Sequence, residues 1–304
     1  MPAHDMPAHE PNRPMLSRPS RRSVLTAAGL VAAGVALDTA VGAPSASAAA
    51  APAIFYSPHQ DDEAIGLAGS ILEHKAAGRP VYLVLVSKGE NGDLAAFMNQ
   101  GNCQSLEGKC SAPGHYHKLG WQESWPTPEV VTGRTAEFNL SAKALGVDKV
   151  INFKLSDEAF GDYDNFVKKI MTKVRALAQQ YPGASHKFAA GWLDGNPTHK
   201  ACSDAAYWLM KNGELTDVRF NHIYAYQQYP NPADRGRGAD YVLNIPAAHM
   251  AKKRSSILAY NTWDPSRNLY TLGYHSVPVW LEQAYADPRE FVYTLPSRYR
   301  TGPA

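Results

Sequence analysis

The chain has 304 residues, of which 44% are hydrophobic, 10% aromatic and 19% charged. These proportions exclude a disordered protein, which would have few aromatic residues, and a coiled coil, which would have many more charged ones. The 30 basic and 28 acidic residues leave a formal net charge of +2, so the composition gives no reason to expect nucleic acid as a partner. The 3 cysteines are too few for a disulfide-rich fold.

The first 50 residues have the features of an export signal. Arg21 and Arg22 lie in a stretch that resembles the twin-arginine signal, and residues 25–37 form an apolar run. This run is too short to span a bilayer but fits a signal peptide, and Ala46–Ala48 fits its cleavage site. We therefore predict a signal peptide with a Pro-rich leader over residues 1–50, secretion by twin-arginine export, and no stable membrane insertion after cleavage. The alternative is a helix that stays anchored in the membrane.

Residues 51–304 are predicted to form one α/β domain. In chain order, strands are predicted at Ala53–Tyr56, Val81–Val86, Val147–Phe153, Lys187–Gly191 and His222–Tyr226, and helices at Ala64–Ala77, Thr132–Leu145, Tyr163–Gln180, His199–Lys211 and Pro246–Tyr260. Strands that alternate with helices indicate a Rossmann-like fold, a mostly parallel sheet flanked by helices. Residues 88–130 have no clear period, and we predict a long surface insertion that shapes a binding site.

The first predicted strand leads directly into His59-Gln60-Asp61-Asp62-Glu63, which crowds one imidazole and three carboxylates into five positions. Ligands of open α/β sheets bind at the carboxyl ends of strands, and neighbouring carboxylates repel one another unless a cation offsets their charge. His59 and Asp62 can face one point at a helix start, whereas Asp61 faces elsewhere and is free to act as a base. The alternative is a set of acids stabilised by the helix dipole, but it leaves His59 unexplained.

A catalytic zinc site needs three protein ligands and an open position. His199 is the candidate for the third ligand, because the segment Asp194–His199 connects another apolar strand to a helix, as the segment at His59 does. The alternative for His199 is a solvent-exposed histidine at the start of a helix.

At these two segments the sequence resembles the PIG-L/LmbE-like family of zinc-dependent N-acetylglucosaminyl deacetylases. The family's first signature, His-Pro-Asp-Asp-Glu, is present as His59–Glu63 with Gln60 in place of proline. Its second signature, His-Pro-Asp-His, is present as Asn196–His199, in which two of the four residues match. Supporting matches are Gly89–Gly92, Arg134, Glu137, Ala142 and Leu145–Val147.

The resemblance implies an LmbE-like fold over residues 53–260. It also implies one zinc ion per chain, with His59, Asp62 and His199 as its ligands. Asp61 would be the general base. The implied activity is that of a zinc-dependent hydrolase that removes the acetyl group from an N-acetylated amino sugar or glycoconjugate, and the predicted signal peptide makes this a secreted enzyme. The alternatives are a metal-dependent hydrolase of another amide or ester and a secreted metal-retaining binding protein without activity. The intact Asp61 favours an enzyme, because a binding site needs no free base beside its ligands.

The second signature departs from the family at two positions. Asn196 replaces a histidine that resembles an oxyanion stabiliser or acid, and an amide can donate a hydrogen bond to an oxyanion but cannot transfer a proton. We therefore predict a catalytic role for Asn196 without acid–base chemistry. Thr198 replaces an aspartate, so we expect a carboxylate beside the ligands to be missing while metal binding survives.

Further residues are candidates for a disulfide, for metal binding or for substrate contact. Cys103 and Cys110 can close a disulfide in an exported protein, with free thiols, or a second zinc site with His115 and His117, as alternatives. Cys202 is predicted to be a buried thiol rather than an extra ligand. Glu90, Asp93 and Asp157 follow predicted strands and belong to structural turns or contact substrate hydroxyls. Six aromatic residues in predicted loops can stack on sugars or simply pack: Trp121, Trp125, Trp192, Tyr229, Trp263 and Tyr274.

Overall fold

The computed structural model describes residues 50–100, 117–157 and 159–303, and these residues belong to one compact unit. The leader as far as residue 49, together with Cys103, Cys110 and His115, lies outside the described ranges. The predictions made for those residues therefore stay predictions.

Within the described residues, seven strands form one sheet. They are β1 (Ala53–Ser57), β2 (Val81–Ser87), β3 (Lys149–Leu155), β4 (Ser185–Ala189), β5 (Val218–Asn221), β6 (Tyr241–Asn244) and β9 (Arg289–Tyr293), while β7 (Trp263–Asp264) and β8 (Leu269–Tyr270) form a separate pair. The order of the seven strands in the sheet is β3-β2-β1-β4-β5-β9-β6. The first five strands of the order are parallel, and β9 is antiparallel to both β5 and β6. The prediction of a mostly parallel sheet is confirmed.

Helices cover both faces of this sheet. They are α1 (Ala68–Ala76), α2 (Gly92–Asn99), α3 (Pro128–Leu145), α4 (Tyr163–Gln180), α5 (Pro197–Lys211), α6 (Ala225–Gln228), α7 (Ala247–Ala259), α8 (Leu272–Ser276) and α9 (Pro278–Ala286), with a π-helical turn at Glu63–Leu67 and a 3₁₀ turn at Pro265–Arg267. None of the described helices is long and apolar enough to cross a bilayer.

The central position of β1 in the sheet explains why its residues Ala53–Tyr56 are all apolar or aromatic. Ile54 and Tyr56 pack in the cluster that includes α4 and α5, whereas Phe55 packs on the other face with residues of α1 and α3. Successive side chains of a strand point to opposite faces, and here both faces are covered. The amphipathic helix α4 has the bounds that its sequence period predicts.

Two predicted elements differ from the structure. The predicted strand His222–Tyr226 is wrong, because β5 ends at Asn221 and the short helix α6 follows. Its apolar residues Ile223 and Tyr224 are buried in the cluster that includes residues of α7 and α9, a tertiary contact that resembles a strand pattern in sequence. The predicted insertion contains the helix α2, whose apolar residues pack with Val130 and Leu272.

Candidate metal centre

The two sequence segments meet where the strand order of the sheet reverses. The strand β1 pairs with β2 on one side and with β4 on the other, so the connections after β1 and β4 leave the same edge of the sheet. In an open α/β sheet, the crevice at such a point is where ligands bind. The segment 58–62 follows β1, and the segment Asp194–His199 lies between β4 and the first turn of α5.

The three predicted ligands converge in this crevice. Ligand atoms of His59, Asp62 and His199 all lie within 4.8 Å of one another. The Asp62 Oδ2 atom is 3.3 Å from His59 Nδ1 and 3.1 Å from His199 Nε2. The side chains of Asp62 and His199 are fully buried, and that of His59 is 14% exposed. The geometry is therefore compact and open on the His59 side.

Each histidine has a second carboxylate within hydrogen-bonding distance. The His199 Nδ1 atom lies 2.8 Å from Asp194 Oδ2, and the His59 Nε2 atom lies 2.9 Å from Asp157 Oδ2. The ring nitrogen that faces Asp62 is in each case the other one. A carboxylate that accepts one ring N–H of a histidine fixes its tautomer and leaves the other nitrogen for a metal. The expectation that a carboxylate beside the ligands is missing is wrong, because Asp157, which follows β3, lies within hydrogen-bonding distance of His59.

The charges of the cluster fit a cation. Burial would raise the pKa of Asp62, but the neighbouring imidazole of His199 and the hydrogen bonds with the two histidines hold it below its ordinary value. Burial would lower the pKa of His59, but its hydrogen bonds to Asp157 and Asp62 raise it to about 9. Among the described residues, Asp62 Oδ1 is buried and lacks a hydrogen-bond partner. Since such an atom is costly to bury unpaired, and protons and metals compete for the same donors, the residues fit a divalent metal ion.

Close packing of the backbone holds His199 in place. A Cβ atom built on Gly191 would lie 2.2 Å from the carbonyl carbon of His199, so only glycine allows α5 to approach the end of β4 this closely. The Gly191 N–H also donates to the Ser203 hydroxyl at 2.9 Å. Sequence reasoning missed Gly191, because the contact that requires glycine is tertiary.

Asp61 has an unusual backbone conformation, with φ at 92°. Residues other than glycine are rarely found there, and such strain costs on the order of 1–3 kcal/mol and is concentrated at functional sites. The Asp61 carbonyl accepts the N–H groups of Ala64 and Ile65, which stabilises the turn. Burial and the negative charge of Asp62 raise the pKa of Asp61 to about 7.

Arg134 of α3 connects the segment that follows β1 with the segment that follows β2. Its guanidinium donates to the carbonyls of Gln60 and Gly89, both at 3.2 Å, and to Asp61 Oδ2 at 3.3 Å. The Gln60 side chain in turn donates to the Lys88 carbonyl at 2.8 Å. The supporting family match at Arg134 thus has a physical reason, since the arginine holds the Asp61 carboxylate in position.

The buried acids Glu63 and Glu137 are structural. Glu63 accepts from Ser141 at 2.5 Å and from Tyr260 at 2.6 Å, which ties the π-helical turn to α3 and to the end of α7. Glu137 accepts three backbone N–H groups of residues 270–273. Neither belongs to the ligand cluster.

Asn196 is the N-cap of α5. Its Oδ1 atom accepts from the backbone N–H of Thr198 at 2.9 Å and of His199 at 3.3 Å. Sequence reasoning missed this role, although asparagine followed by proline at the first helical position is a typical helix start. The side-chain oxygen is therefore engaged, and the side-chain N–H group remains as a donor.

Apart from Asp157, the other described candidates do not contribute to the ligand cluster. Cys202 is a buried free thiol in the core, as predicted. His117 packs with Phe97 and other aromatic rings, and Glu90 pairs with Lys88 at 3.4 Å. Among the described residues, an aromatic ring that the sequence did not single out lies against the cluster: the ring centroids of Tyr224 and His199 are 4.6 Å apart.

A family model supports the sequence resemblance. The model of PIG-L, described as GlcNAc-PI de-N-acetylase, matches residues 54–210, more than half of the 304 residues and both signature segments. Among curated proteins, none matches the sequence.

Solved structures share the fold at low sequence identity. A teicoplanin-pathway deacetylase triple mutant has a TM-score of 0.56 and 14% identity, over 80% of this chain and 96% of that one. The A40926 pseudoaglycone deacetylase has a TM-score of 0.51 and 17% identity, over 81% and 99%. The 4-carboxy-2-hydroxymuconate hydratase of Pseudomonas putida has a TM-score of 0.52 and 16% identity, over 84% and 100%. Since a hydratase shares it, the fold alone does not define the reaction.

Proposed function

The chain belongs to the PIG-L family of de-N-acetylases, and from this premise we propose that it is a metal-dependent hydrolase of an N-acetylated amino sugar or glycoconjugate. The observation that carries the proposal is the convergence of His59, Asp62 and His199 at the reversal of strand order, with Asp61 beside them. The reaction adds water across the amide and releases acetate and the free amine.

The metal would be held by His59 through Nδ1, by Asp62, and by His199 through Nε2. A divalent ion at that place supplies Lewis-acid activation of the acetamide carbonyl and of water. Two imidazoles and one carboxylate form a typical donor set for catalytic zinc. One solved neighbour is described as a zinc-inhibited form of teicoplanin deacetylase, so the metals to be tested against each other include zinc, cobalt and manganese.

The chain's own residues move the proton and hold the substrate. Asp61 accepts a proton from the attacking water and passes it to the leaving amine, as a general base and then acid. Arg134 keeps the Asp61 carboxylate in place. The side-chain N–H of Asn196 donates to the developing oxyanion, while its oxygen caps α5.

The test is acetate release by the purified protein from a panel of N-acetylated sugars, oligosaccharides and glycolipids. Activity that disappears on chelation and returns with one divalent metal is the expected result. The His199→Ala variant is the control, since it should release no acetate under the same conditions. If the metal-loaded protein released no acetate from any member of the panel, deacetylation would be refuted.

A further inference from the structure

Asp157 has a set of contacts that its place in the sequence does not predict. It follows β3, which is separated from β1 by β2 in the sheet. Its Oδ2 atom accepts from His59 Nε2 at 2.9 Å. The Thr198 hydroxyl lies 2.8 Å from each of the two carboxylate oxygens. Asp157 thus connects the histidine of the first signature to the altered position of the second.

These contacts leave Asp157 little capacity to bind a substrate hydroxyl. A carboxylate has about four acceptor positions, and three of them are already used by His59, the Thr198 hydroxyl and the N–H of Ala159, the last at 3.3 Å. Thr198 is fully buried and the Asp157 side chain is 18% exposed. The arrangement favours orientation of His59 over contact with a sugar.

We propose that Asp157 is the positioning residue that aims His59 Nδ1 at the metal centre, and that Thr198 holds Asp157 for this purpose. The carboxylate absent from the second signature is in this way relocated to the end of β3. The inference rests on the metal site proposed above.

The relocation explains why position 198 is a threonine. A hydroxyl can donate its proton to Asp157, whereas a second carboxylate 2.8 Å away would repel it. An aspartate at position 198 and Asp157 are therefore mutually exclusive in this chain. Restoring the family residue by Thr198→Asp should harm the site rather than improve it.

The experiment measures the zinc affinity of the metal-free full-length protein by competition with a chromogenic chelator. We expect Asp157→Ala to weaken zinc binding by about 10–100-fold, the usual loss for an outer-shell partner of a metal ligand. Thr198→Val, which keeps the side-chain shape but removes the hydroxyl, should weaken it less. Matched surface controls are Asp164→Ala and Thr172→Val, and both should bind zinc like the wild type.

The sharpest test is a double-mutant cycle. Thr198→Asp should weaken zinc binding in the wild-type background but strengthen it in the Asp157→Ala background, where it supplies the only carboxylate of the pair. The melting temperature of each metal-free variant shows whether it is folded. If Asp157→Ala is unfolded, Asp157→Asn replaces it, with the tautomer of His59 read by ¹⁵N NMR.

The outcomes either support or overturn the proposed role of Asp157. Loss of zinc affinity in Asp157→Ala together with the reversed effect of Thr198→Asp supports the relocation. Wild-type zinc affinity in the folded Asp157→Ala variant, or tighter binding by Thr198→Asp alone, overturns it and leaves the metal site intact. A wild-type protein that binds no divalent metal overturns the metal site itself.

Discussion

Substitution of Asn196 by alanine and, separately, by aspartate distinguishes its capping role from its proposed catalytic role. Its Oδ1 atom accepts two backbone N–H groups at the start of α5, and alanine removes both hydrogen bonds. Loss of an N-cap costs about 1 kcal/mol, which lowers the melting temperature of a domain of this size by about 2–4 °C. Aspartate keeps an acceptor oxygen and caps a helix about as well as asparagine.

The turnover number should respond differently from the stability. Neither alanine nor aspartate has a side-chain N–H group to donate to an oxyanion, and loss of one such donor lowers turnover by about 10²–10³-fold, or about 2.7–4 kcal/mol. Aspartate also brings a negative charge near the developing oxyanion, so it should turn over no faster than alanine. We expect both variants to be slow and only the alanine variant to be less stable.

The assay combines kcat for acetate release, the melting temperature and the metal content of each variant. Metal content is needed because one capped N–H belongs to His199, a proposed ligand. The Asn196→His variant, which restores the family residue, should keep the activity or increase it. An Asn196→Ala variant that melts earlier but turns over like the wild type, with its metal in place, would refute the catalytic role and leave only the cap.

Four further predictions concern the ligands, the base, export and pH. The wild type should bind about one metal ion per chain, and full occupancy in His199→Ala would contradict the ligand assignment. Asp61→Asn should keep the metal but lose about 10²–10⁴-fold in turnover, so near-native turnover would exclude Asp61 as the base. Lysine in place of Arg21 and Arg22 should trap the precursor inside the cell, whereas unchanged secretion would argue against twin-arginine export. Burial lowers the pKa of His186 to about 4, below its unfolded value of about 6.5. Because the folded protein then binds fewer protons than the unfolded chain, its free energy of unfolding should fall as the pH drops from about 6.5 to 4. Chemical denaturation of the His186→Gln variant should show a smaller fall over the same pH range.

Patterns among neighbouring residues of the sequence were sufficient to predict the elements that depend on interactions close in the chain. The apolar period of α4 predicted both ends of that helix, because one face of a helix must be buried whatever it packs against. The apolar run of β2 predicted a strand covered on both sides. His59 and Asp62 could be paired as candidate ligands, since only three positions separate them and they follow a strand. The parallel sheet followed from the alternation of such elements.

The partners of the buried polar groups were decided by tertiary structure. Asp157 reaches His59 across 98 positions of sequence because the sheet places β2 between β3 and β1, and no spacing in the chain encodes that order. Gly191 is required by a backbone contact with His199, which exists only once α5 lies against the end of β4. In the sequence, Thr198 replaces the family's aspartate, which suggests that a carboxylate has been lost. In the fold, the Thr198 hydroxyl donates a hydrogen bond to the carboxylate of Asp157, which follows β3. A hydrogen bond between residues that are distant in sequence forms only if the fold brings both side chains together. Their relative positions depend on the packing of the whole sheet and its helices.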